Sequence, residues 1–189
     1  MFIKKLNFSI SAQVHYNADN NHYYQLVTGA YNFADALDNA ANNLDLHLHG
    51  VKGYLATLQG PSETAWVNSV FGALIPSDGV WIAAHYSGDW EFPWVHAAGP
   101  ENGLLIHDAN WAAGEPSNAG CVILWNQANG NFWAAQDCAS SSVNGGFLIE
   151  YECGAGLKFS GDACIGLFVI ELFHCYFNLL LGYSTNFHS

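Results

Sequence analysis

Between Asn110 and Cys153 the sequence gathers groups able to do chemistry: a carboxylate in a Gly114-Glu115-Pro116 turn, thiols at Cys121 and Cys138, and indoles at Trp111, Trp125 and Trp133. Pro116 fixes its own φ and drives Glu115 out of the helical region, so a loop holds the carboxylate at its tip. Cys121 opens an apolar run that ends at Trp125, Cys138 follows Phe132-Trp133, and Asn129-Gly130 is a strong hairpin signal. Two strands joined by the turn from Asn126 to Asn131 would bring the two thiols together. The indoles are large apolar plates that suit either a β-rich core or a surface that stacks on sugar rings.

The elements that must position these groups lie upstream. His22 to Val27 reads as a strand dense in aromatic and β-branched residues. Asn32 is an N-cap for a helix with Asp35 in its first turn and Phe33, Leu37, Ala40, Ala41 and Leu44 on one face. Tyr54 to Leu58 resumes as a strand. Gly60-Pro61-Ser62-Glu63 opens a second helix that carries Ala65-Trp66 and Val70-Phe71 inward. Val80 to Ala84 and Phe147 to Ile149 are further apolar strands.

Composition bounds the rest. At 189 residues and 51% hydrophobic, one domain with a sizeable core is expected, with a tail. The net charge of −12, from four basic against sixteen acidic residues, argues against nucleic acid or an anionic membrane surface as partner. His47 and His49 alternate, so on a strand they would share a face and could ligate zinc with His85 or His96; scattered loop histidines are the plainer reading. No nucleophile elbow, phosphate loop, His-Glu-x-x-His or Cys-x-x-Cys occurs, so binding rather than catalysis is expected.

These residues resemble the C-type lectin-like domains, especially their short bacterial forms. The family pattern runs from a Trp through a Gly-Glu-Pro-Asn loop, a Cys and a Gly-x-Trp-Asn-Asp-x-x-Cys segment to a last strand rich in apolar residues. Here it reads Trp111, Gly114-Glu115-Pro116-Ser117, Cys121, Trp133-Ala134-Ala135-Gln136-Asp137-Cys138 and Phe147-Leu148-Ile149-Glu150-Tyr151. With the upstream strands, helices and Trp90 to Trp94, the resemblance covers about residues 23 to 151.

The resemblance implies an α+β fold: two helices flanking two small, mostly antiparallel sheets, and a long loop region from about Pro100 to Asn118 that presents the binding surface. It implies a Cys121–Cys138 disulfide, contributing roughly 3 kcal/mol in the loop-entropy picture, and hence an oxidising, secreted or cell-surface location. The family's long-range disulfide has no partners here, since the first helix lacks Cys and the last-strand position is Ile149. Implied function is carbohydrate recognition through Glu115, Ser117, Asn118 and Trp125, with Trp90 a second stacking candidate.

Calcium is the implied cofactor, held by Glu115, Asn118 and Asp137. Its pattern is depleted: Ser117 stands for Asn, Gly120 precedes Cys121 without a carboxylate, and Ala134-Ala135 replace Asn-Asp. Glu63 and Glu150 match an auxiliary calcium site that ties helix to sheet, or are two separate surface carboxylates. The alternative function is calcium-independent binding of a protein or other non-sugar ligand.

Three parts are expected: a lead segment 1–20, the lectin-like domain 21–153 and an apolar tail 154–189. Lys4-Lys5 followed by Leu6 to Ile10 is too short and polar for a signal-peptide core. Ala163 to Tyr183 is apolar but interrupted by Glu171, His174 and Asn178, which suits a weak membrane anchor, a packed helix or an oligomer contact. Cys153 pairs with Cys164 or Cys175, or stays free.

Overall fold

A computed structural model describes residues 13–48, 50–91, 93–117, 120–127, 130–140, 145–153, 157–160 and 163–166; the side chains of 127, 130, 157–160 and 163–166 are outside that description. His49, Asn118, Asn129, Cys175, Lys4, Lys5 and the apolar stretch after residue 166 lie outside the described residues. Among the described residues no helix is long and apolar enough to cross a membrane.

Helix α1 (Phe33–Asn42) starts where the Asn32 side chain accepts from the Asp35 amide at 2.8 Å. It buries Phe33, Ala36 and Ala40. Leu44, expected on that face, is 77% exposed, because a 3₁₀ turn over Leu44–Leu46 rotates the chain and buries Leu46 instead. Helix α2 (Gly60–Phe71) has Pro61 in its first turn and buries Glu63, Thr64, Val67 and Phe71. The expected inward Ala65 is exposed and Trp66 only half-buried. The buried face runs from Glu63 through Val67 to Phe71, in steps of four, and it was masked in the sequence by the charge of its first member.

Ten strands follow in chain order: β1 (Val14–Asn17), β2 (His22–Val27), β3 (Tyr54–Leu55), β4 (Val80–Tyr86), β5 (Trp94–His96), β6 (Cys121–Gln127), β7 (Gly130–Gln136), β8 (Phe147–Tyr151), β9 (Leu157–Ser160) and β10 (Ala163–Gly166). The first eight form one sheet in the order β1-β2-β8-β4-β6-β7, with β3 on β8 and β5 on β4; β9 and β10 pair separately. The two small sheets expected for the domain are thus joined. Strand β8 carries β2 along one edge and shares the other between β3, at Ile149 and Glu150, and β4, which it meets in parallel at Trp81↔Phe147.

Period-two alternation distributes these strands over two cores. Tyr24, Leu26, Ile82, Leu124 and Leu148 share one with Val67 and Phe71 of α2. Val27, Trp81, Ala83, Ile123, Phe147, Ile149 and Tyr151 share the other with Phe33, Ala36 and Ala40 of α1. Burial on both faces explains why these strands read as unbroken apolar runs. Gly146 sets the β2–β8 approach: its φ is +105°, and a Cβ there would sit 1.8 Å from the Val27 carbonyl oxygen.

Candidate functional site

The Gly114–Ser117 turn leaves the sheet beside β7. Gly114 takes φ +86° and the Glu115–Pro116 peptide is cis. Glu115 Oε2 accepts from the Ala135 amide at 2.9 Å, the Ser117 amide at 2.9 Å and the Ser117 hydroxyl at 3.2 Å. Partial burial opposes ionisation most strongly, but the Ala135 and Ser117 donors together outweigh it and hold this carboxyl below its usual range. Pro116 and Ser117 are exposed. The loop therefore presents a clamped, ionised carboxylate.

The other groups expected beside Glu115 are elsewhere. Asp137 turns its Oδ1 to the Ala139 amide at 3.0 Å and caps the following turn. Trp125 pairs with Phe132 toward the far end of the β6–β7 hairpin, packs on the α1-side core and donates its indole N–H to the Ser77 carbonyl at 3.0 Å. Val122, the partner of Ala135, is three residues from Trp125, which separates the two by about 10 Å along the strand. Trp90 is 85% exposed in the β4–β5 connection. The Cys121–Cys138 disulfide is formed across the hairpin base, with Cα atoms 5.0 Å apart, and Cys153 is disulfide-bonded too, so it is not free.

A second constellation lies under α2. Strand alternation turns His22 and Tyr24 of β2 and Glu150 of β8 to the α2 face, where Tyr24 and Glu150 are direct partners, and α2 supplies Glu63. Glu150 is 1% and Glu63 9% exposed, so they are neither separate nor on the surface. The Tyr24 hydroxyl donates to Glu63 Oε1 and lies 3.0 Å from Glu150 Oε1, while Asn20 Nδ2 donates to it at 2.8 Å. His22 Nδ1 meets Glu150 Oε1 at 2.5 Å and its Nε2 meets Glu152 Oε2 at 3.3 Å. The outer carboxylate oxygens are fixed from behind: Glu150 Oε2 by the Thr57 amide at 3.0 Å, Glu63 Oε2 by the Gln59 amide at 2.6 Å.

The charges in this cluster perturb one another. The hydrogen bond to Glu150 raises the His22 pKa despite burial, and the charges of Glu150, Glu152 and Glu63 add to it. Burial first, then the Glu150 charge, push Glu63 up to about 7. Burial and the two carboxylates drive the Tyr24 hydroxyl far above its ordinary range, so it remains a donor.

Over 159 residues the sequence is 31% identical to halomucin of Haloquadratum walsbyi, a match covering 77% of this chain and 2% of halomucin, so the chain spans a small fraction of that relative. No family model matches. Among solved structures, the C-type carbohydrate-recognition domain of cow CD23 superposes with a TM-score of 0.51 at 22% identity, over 71% of this chain and 91% of that one. The Ca2+-independent C-type lectin SPL-2 of Saxidomus purpuratus gives 0.56 at 17% identity, over 75% and 92%. The chain has the C-type lectin-like fold.

The calcium sites that the lectin-like pattern implies can be tested against the donors present. Calcium takes six to eight oxygens, several of them carboxylate. At the loop of this lectin-like domain, Glu115 Oε2 already accepts three donors, Ala134 is turned into the α1-side core, and neither Gly120, Ala134 nor Ala135 has a side-chain oxygen. Asp137 is engaged on its own turn. The described residues do not fit calcium there. Around Glu63 and Glu150 the inward carboxylate oxygens already accept from Tyr24, from Asn20 and from His22, and an imidazole nitrogen stands among them. That donor set does not fit calcium either.

Sequence reasoning missed His22 and Tyr24, which read only as strand residues. Their signal was the alternation His22, Tyr24, Leu26 along β2, which puts all three on one face. His47 and His85 are not joined with other candidate ligands in any metal-like group among the described residues, and neither is His96.

Proposed function

We propose that this chain is a carbohydrate-recognition domain that binds glycans at the Gly114–Ser117 loop without calcium. The observation that carries the reading is the geometry of Glu115. All three of its donors reach Oε2, leaving Oε1 as the acceptor for a sugar hydroxyl, and a charged acceptor makes roughly twice as strong a hydrogen bond as a neutral one. The Ala135 and Ser117 amides do for this carboxylate what a bound cation does elsewhere: they fix its orientation and favour its charge. Similarity to CD23, named for carbohydrate recognition, and to SPL-2, named as a Ca2+-independent lectin, supports both halves of the proposal. The Cys121–Cys138 disulfide supports a secreted or cell-surface setting, and the site reads as one for binding rather than catalysis.

A glycan array run in calcium and in chelator, on the native chain and on Glu115→Ala, tests it. The expected result is a signal that survives chelator and falls at least tenfold in the variant. A signal abolished by chelator, or indifferent to Glu115→Ala, overturns the assignment. Silence throughout supports the second reading, a protein or other non-sugar ligand, which Ala134 and Ala135 favour by removing the side-chain oxygens with which the family pattern holds its ion and sugar.

A further inference from the structure

We propose that the cleft between α2 and the segment 108–110 binds a primary aliphatic ammonium group. The helix lines it with Pro61, Thr64, Ala65 and Asn68, the i, i+3, i+4, i+7 spacing of one face, and the exposed Asp108 carboxylate lines it from the facing segment. The cleft holds about 400 Å³, within the range of small-molecule sites. It is separate from the Glu115 loop. Asn131, to which both walls are tied, stands four residues along β7 from Ala135, or about 13 Å.

Two oxygens of the helical wall are buried and have no hydrogen-bond partner, Thr64 Oγ1 and Asn68 Oδ1. Thr64 is 2% exposed, so it forms the floor of the cleft. A buried oxygen left unmet costs stability until something donates to it. The Asn68 amide cannot turn over to meet its own need, because its Nδ2 donates to the Asn131 carbonyl at 3.0 Å, and the same carbonyl takes the Asn110 Nδ2 at 3.3 Å. A flip would set two oxygens against each other.

The unmet atoms therefore ask for donors, and they ask beside a carboxylate. An alkylammonium brings three donors and no acceptor of its own, which matches Thr64 Oγ1, Asn68 Oδ1 and the Asp108 carboxylate in number. A sugar hydroxyl also brings lone pairs, for which the Thr64 hydroxyl is the one unmet donor among the described lining residues. Pro61 and Ala65 give apolar surface to an alkyl stem. None of the described lining residues is a cation, and four basic residues against sixteen acidic make a field that draws cations in.

The test is a titration of the nitrogen-15-labelled full chain followed by NMR. The probe is n-butylamine; n-butanol has the stem without the charge, and butyltrimethylammonium has the charge without N–H donors. Saturable shifts at Thr64, Asn68 and Asp108 are expected with n-butylamine at a Kd of about 1 mM, and binding at least about tenfold weaker with the other two. Lysine blocked at both ends distinguishes the source: affinity equal to that of n-butylamine assigns the site to a peptide lysine, and weaker affinity assigns it to a free amine. Thr64→Val removes a hydroxyl that has no partner, so the variant should melt no lower than the native chain and bind n-butylamine at least about tenfold more weakly. Asp108→Asn, altered at an exposed position, should fold unchanged and weaken binding about threefold or more. Absence of saturable shifts, shifts centred on the Glu115 loop, equal binding of n-butanol or butyltrimethylammonium, a methyl glycoside that titrates the same signals more tightly, or binding untouched by both variants overturns the proposal.

Discussion

The backbone N–H of Ala135 donates to Glu115 Oε2 at 2.9 Å, tying the loop carboxylate to a strand twenty residues further along. The bond is charge-assisted but partly solvated, so it contributes about 1 kcal/mol. Glu115→Ala should lower the melting temperature by roughly 2–4 °C at pH 7. Because the folded carboxyl is held below its ordinary pKa, this contribution is present above the unfolded pKa and is lost as pH falls through the lowered folded value. The gap between native and variant melts should therefore close in strong acid. A gap that persists there would show that the carboxylate's charge is irrelevant to the clamp.

The Cys121–Cys138 disulfide closes a loop with a sequence separation of 17, for which chain entropy gives about 3 kcal/mol. The double variant Cys121→Ala, Cys138→Ala should melt roughly 6–12 °C lower. A native-like melting temperature would mean that the hairpin alone holds the register.

His96 is 4% exposed, and burial lowers its pKa against the opposing charges of Glu101 and Glu150 and its hydrogen bond to Ala83. The folded protein holds it neutral, so the unfolded chain binds more protons as pH falls below about 6.5. No cost exists above that pH; the loss of stability grows below it and levels off beneath the folded pKa. Denaturant melts of native protein and His96→Gln from pH 7.5 to 4.5 should converge as the medium acidifies. Parallel curves would assign the acid sensitivity elsewhere.

Gly146 combines φ +105° with a Cβ position 1.8 Å from the Val27 carbonyl oxygen. Gly146→Ala must part β2 from β8 and should cost on the order of 4 kcal/mol, an exceptional value for a single methyl group. Soluble expression with an unchanged melt would show that the strands have another way to pair.

Trp90 is 85% exposed, and Trp90→Ala should leave the melt unchanged within about 0.5 kcal/mol. A glycan signal that falls in this variant would add an aromatic platform to the Glu115 acceptor, and an unchanged signal would confine recognition to the loop.

Much of the frame could be read from the residues. Asn32 announced α1 and Pro61 announced α2, and the Cys121 and Cys138 hairpin formed as its apolar runs implied. Two of the failures share a cause: a side chain overruled a local pattern. Strand β3 stops at Leu55 because the Thr57 amide leaves the ladder for Glu150 Oε2. Helix α2 turns Glu63 inward because Tyr24 waits there as a donor. No window of sequence contains both partners, which lie 39 and 93 residues apart. Trp125 donates its indole N–H to the Ser77 carbonyl and, by alternation from Cys121, lies on the α1-side face, away from the Glu115 loop.

Strand β2 has β8 as its inner neighbour, from Tyr23↔Tyr151 to Val27↔Phe147. On a ribosome adding about 5–20 residues each second, β2 waits roughly 6–25 s before that neighbour is made. A nascent chain halted before Phe147 carries an apolar strand with an open edge, and that edge is a template for another chain. The domain closes as a clasp does, at its last link, so premature termination should yield aggregates rather than a shorter folded form.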